Sequence, residues 1–62
     1  MHYLITIFNT KTNKIEAKLY KNLTLEQALA TAAKKGQIIE VWSTTVKGDP
    51  LEEVSWQHLY HF

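Results

Sequence analysis

The 62 residues predict an α+β fold, an antiparallel β-β-α-β-β sheet with one helix on one face. Three observations predict it. Residues 3–8 and 15–21 are strand-like and separated by a short polar link. A complete set of helix start and stop signals brackets residues 24–36. Two more segments rich in β-branched and aromatic residues follow, divided by a Gly-Asp-Pro turn cluster.

Residues 3–8 are β-branched or aromatic almost throughout, with no breaker, so they form a strand. Tyr3, Ile5 and Ile7 share one face, and Leu4, Thr6 and Phe8 the other. Both faces are mostly apolar, so this strand is expected to be central and covered on both sides. Asn9 to Lys14 is a polar loop with turn formers. From Ile15 the pattern alternates, with Ile15, Ala17 and Leu19 on one side and Glu16, Lys18 and Tyr20 on the wet side. The short link makes the pair a hairpin.

Thr24 is a good N-cap, and Gln27 three residues later completes a capping box. Leu23 and Ala28 occupy the positions of a hydrophobic staple. Leu25, Ala28, Leu29, Ala32 and Ala33 follow the helical stripe. Lys34 and Lys35 suit the negative end of the dipole, and Gly36 the C′ position. The helix is expected over about residues 25–35.

Residues 37–46 form the third strand, with Ile39 and Val41 on one side and Ile38, Trp42 and Val46 on the other. Lys47-Gly48-Asp49-Pro50 turns the chain. The tail admits two readings. Asp49, Pro50 and Glu52 could start a helix. A strand from about Val54 aligns Val54, Trp56, His58, Tyr60 and Phe62 on one side. It accounts for all the aromatics and is preferred, with at most one helical turn at 50–53.

Sixty-two residues make one domain, which buries only about 60% of its unfolded surface. There is no cysteine, hence no disulfide and no thiolate metal site. That suits a reducing compartment. No apolar run approaches the roughly 18 residues of a membrane span, and the first residues lack a cationic leader. A complete, untargeted cytoplasmic protein is expected.

Seven lysines face six acids, for a net charge of +1, and there is no arginine. Nucleic-acid binders lean on arginine and on positive excess, so nucleic acid is disfavoured as a partner. Catalytic patterns are missing too. Glu52 and Glu53 are adjacent and diverge, so they are no glycosidase-type pair. His58 and His61 could share a helix face, but they part on a strand and do not complete a metal site with His2. Two glycines make no phosphate-cradling loop. Neither a cofactor nor enzymatic activity is expected.

Large apolar groups remain. One alanine-rich helix can absorb Ile5, Ile7, Leu19, Ile39 and Val41, but not Leu4, Phe8, Trp42, Val46 and the aromatic tail as well. Together these would exceed the apolar patch a monomer usually exposes. The expected role is therefore a non-enzymatic binding protein, homodimeric or larger, acting through a protein interface. The candidate interface residues are Leu4, Phe8, Trp42, Trp56 and Tyr60. In size and style the chain looks like accessory or inhibitor proteins of phages and mobile elements. The alternatives are nucleic-acid binding on the open sheet face and sequestration of a small nucleotide-like ligand between subunits.

Overall fold

A computed structural model describes residues 1–59. Among these, β1 (His2–Asn9), β2 (Lys14–Tyr20), α1 (Leu25–Ala33), β3 (Gln37–Thr44) and β4 (Pro50–Glu53) follow in order. The strands form one antiparallel sheet in the order β2-β1-β3-β4. The predicted α+β architecture is therefore present, with β1 central and the helix on one face.

The β1–β2 hairpin turns on asparagine chemistry. The Asn9 side-chain oxygen accepts from Lys11 N at 2.9 Å and from Thr12 N at 3.4 Å. Asn13 N donates to Asn9 O at 2.8 Å, and Asn13 adopts a left-handed conformation at φ 57°. Asn tolerates that region because its short polar side chain bonds locally.

The helix begins as expected. Thr24 Oγ1 accepts from Gln27 N, and Gln27 Oε1 accepts from Thr24 N, both at 3.1 Å. It ends sooner than expected, at Ala33, with Lys34 as C-cap. Gly36 is not a left-handed C′ residue; among glycines only Gly48, at φ 98°, has positive φ. Gly36 is needed for space. A Cβ there would lie 2.2 Å from Phe8 O and 2.8 Å from Phe8 C. The α1–β3 link thus presses directly on the β1 backbone.

The core lies between helix and sheet: Tyr3, Ile5, Ile7, Ala28, Leu29, Ala32, Ile38 and Val41, joined by Tyr20 and Trp56. Leu25 and Ala33 flank it, so the helical stripe read from sequence is the buried one.

Two face assignments are corrected. In β3 the core residue is Ile38, 4% exposed, while Ile39 is 47% exposed. Thr6 pairs with Glu40 but Ile7 pairs with Ile38, so Ile39 is an extra residue in a β-bulge. A bulge reverses the alternation on one side of it, which puts Ile38 and Val41 on the same face. In β2, the helix-facing side carries Glu16, Lys18 and Tyr20, opposite Ile7, Ile5 and Tyr3. Ile15, Ala17 and Leu19 face away from the helix. A helix about 10 Å wide spans roughly two strands at about 4.8 Å spacing. Here those strands are β1 and β3, so the outer strand β2 has no need to turn its apolar side toward the helix.

The tail is also corrected. The fourth strand is at Pro50–Glu53, where a helical turn was allowed, and residues 54–56 are not a strand. Asp49 is used for hairpin closure. Its carbonyl accepts from Thr45 N at 3.0 Å, and its N–H donates to Thr45 Oγ1 at 3.1 Å. This closure turns the chain onto β3 at once. Pro50 is tolerated because β4 is an edge strand. Val54 N then donates to Val41 O at 2.9 Å, and Trp56 tucks into the core.

Candidate interaction surface

The sheet face opposite α1 is built by cross-strand register. Leu19, Leu4, Trp42 and Glu53 lie side by side across the four strands. The next row is Ala17, Thr6 and Glu40; the third is Ile15, Phe8 and Gln37. The face therefore carries two apolar rows, Leu19–Leu4–Trp42 and Ile15–Phe8. Between them lie small or neutral groups and one acid.

Leu4, Phe8, Leu19 and Trp42 are half-buried, and Ile15 is 70% exposed. One end of the face is not open. A Cβ at Gly48 would lie 3.3 Å from Leu19 Cδ2, so the 45–49 turn reaches across β3 and β1 to touch β2. That turn reaches Leu19 and carries Val46, which is exposed. Leu4, Trp42, Phe8 and Ile15 are left as the principal apolar groups on the face.

Of the five residues expected at an interface, the structure brings together Leu4, Phe8 and Trp42. Trp56 is elsewhere. It is 8% exposed and belongs to the core cluster with Leu29 and Val41. An irregular segment following β4 carries it there, where its large ring adds to a core otherwise built on a thin, alanine-rich helix. Tyr60 lies outside the described residues, as do His61 and Phe62. Sequence reading missed Ile15 and Leu19 on this face, having directed Leu19 toward the helix. The signal that could have placed them is the narrowness of the helical stripe, which covers two strands and not three.

The charged strand residues on this face are acids. Glu40 sits half-buried at its centre beside Thr6, and Glu53 lies beside Trp42. The strand lysines Lys14 and Lys18 point to the other side of the sheet, and the rest lie in turns or next to the helix. Buried hydroxyls are satisfied within the fold: Ser43 Oγ donates to Glu52 O at 3.2 Å, and Thr44 Oγ1 to Thr45 O at 2.9 Å. Among the described residues no cluster of three or more His, Cys, Asp or Glu could hold a metal, and His58 is exposed in the turn after Trp56. No helix among them is long and apolar enough to cross a membrane.

Comparison with protein-family models, curated proteins and solved structures finds no match to this chain.

Proposed function

We propose that this protein is a non-enzymatic accessory or inhibitor protein that works through the sheet face opposite its helix, and that it pairs with a second copy there. The observation that carries the reading is the set of apolar rows Leu19–Leu4–Trp42 and Ile15–Phe8 on a face the helix does not cover. Stacking two sheets about 10 Å apart would bury these rows in a second core.

The size of the face sets the expected strength. Four strands of up to eight residues make a plate of roughly 19 by 26 Å. That is about 500 Å² before side-chain relief, less than the roughly 800 Å² per partner of a standard interface. The dimer is expected to be weak and concentration-dependent. Glu40 and Glu53 favour a second occupant, a partner protein with a basic, apolar surface, since two stacked copies bring their own acids near one another. The same acids argue against single-stranded nucleic acid, whose phosphates they repel.

Sedimentation across micromolar to millimolar concentration tests the reading. Wild type is expected to associate, and Trp42→Lys to remain monomeric with its helical circular dichroism intact. A wild-type monomer at millimolar concentration would refute self-pairing.

A further inference from the structure

On the helix side of the sheet, β2 lies outside the shelter of α1. Lys18 stands opposite Ile5 and Glu16 opposite Ile7. Lys35, just past the helix end, approaches from the other side. Between them is a cleft of about 250 Å³. Its floor is the core pair Ile5 and Ile7, and Tyr20, Lys18, Lys35 and Glu16 stand around it.

Two of the polar groups around this floor make contacts that orient them. The Lys18 ammonium lies 5.5 Å from the centroid of the Tyr20 ring, a cation–π contact that folds its long side chain back over the sheet. Glu16 Oε1 accepts from Asn9 Nδ2 at 3.3 Å, which holds the carboxylate toward the hairpin end. The group acting most strongly on Lys18 is Lys35. Their hydrogen-bonding proximity and mutual repulsion hold the Lys18 ammonium below its ordinary range. Lys18 and Lys35 both line the cleft above its apolar floor.

We propose that this cleft binds a small phosphate monoester, its phosphate bridging Lys18 and Lys35 and its organic part resting on Ile5, Ile7 and Tyr20. A monoester phosphate carries close to two negative charges near neutral pH, which matches two converging ammonium groups better than a single carboxylate does. It also offers several acceptor oxygens, enough to bond both lysines at once. The volume lies below the roughly 300–1,000 Å³ of drug-sized pockets, which limits the organic part to about one ring or a short polyol. Glu16 sets the polarity of the far end: it accepts a hydrogen bond from a hydroxyl and repels a second phosphate. The site therefore selects monophosphates over bisphosphates that carry a second phosphate on the organic part. It lies on the opposite side of the sheet from Trp42 and stands independently of the pairing proposed above.

The test is amide NMR titration of the full chain with phenyl phosphate, inorganic phosphate and 1,4-phenylene bisphosphate. Phenyl phosphate is expected to give saturable shifts at Lys18, Tyr20 and Lys35. Inorganic phosphate should bind more weakly at the same amides, because it lacks the apolar part. Lys18→Gln and Lys35→Gln should each weaken phenyl phosphate roughly tenfold. Both side chains are exposed, so the variants keep the fold, checked by their amide spectra. Glu16→Gln should narrow the preference over the bisphosphate. Three outcomes would overturn the proposal: shifts that do not saturate, shifts spread equally over Lys11, Lys21 and Lys47, or binding unchanged in both lysine variants.

Discussion

Gly36→Ala tests the tightest backbone approach in the fold. A Cβ at this position would sit 2.2 Å from Phe8 O, 2.8 Å from Phe8 C and 3.0 Å from Asn9 Cα. Ordinary contact begins near 3.4 Å, so Phe8 O would have to retreat by more than 1 Å. All three atoms are backbone, so no rotamer change relieves the clash. The end of β1 must separate from the α1–β3 link, which disturbs the Phe8–Gln37 and Ile7–Ile38 pairings beside the bulge. Overpacking of this kind costs about 1–3 kcal/mol. A core of this size supplies in total only about 3–5 kcal/mol. We expect Gly36→Ala to lose about 1–3 kcal/mol, roughly a fifth of the stability or more, in urea melts read by tryptophan fluorescence, and Gly36→Val to leave no folded baseline. A midpoint within about 0.5 kcal/mol of wild type, the scale of a neutral surface change, would refute the steric reading.

Three further outcomes are expected. Thr24→Ala removes the acceptor for Gln27 N and should cost about 1 kcal/mol in the same melts; an unchanged midpoint would show that the capping box contributes nothing. Truncation after Glu53 removes the bond from Val54 N to Val41 O and the buried ring of Trp56. A buried side chain of that kind contributes roughly 1.5–3 kcal/mol, so the shortened chain should give a collapsed amide spectrum, and a dispersed one would contradict the placement of Trp56. Lys18 should titrate below the usual 10.5 because Lys35 faces it. Below that folded-state value both states are charged and the repulsion is fully present. As pH rises from there toward 10.5 the unfolded chain holds more protons, so stability rises across that window. Side-chain NMR titration should show Lys18 returning toward 10.5 in Lys35→Gln; Lys18 titrating alike in both proteins would refute the pairing.

The parts of this fold legible in the sequence are those set by neighbours along the chain. Thr24 and Gln27 cap the helix through bonds three residues apart, and the Leu25–Ala33 stripe is a helical periodicity, so both survive into the structure intact. Residues 3–8 carry no breaker and are strand under any packing. That Leu4, Phe8 and Trp42 would be left over followed from the small area of an alanine-rich stripe, and the register does place them on one face.

Tertiary structure decided what depends on distant backbone. Whether Ile38 or Ile39 enters the core turns on one bulged residue opposite Thr6 and Ile7, and alternation along β3 alone gives the opposite answer. The side of β2 that faces the helix was set by where the helix lies across the sheet, which no local pattern encodes. Gly36 read as a helix stop by its position, whereas the demand for glycine comes from the Phe8 carbonyl, 28 residues away in sequence. Trp56 matched the other aromatics as an interface anchor, yet the path of the chain after β4 delivers it to the core. Periodicity gives each side chain a direction relative to its own element; only the packing of elements says what lies in that direction.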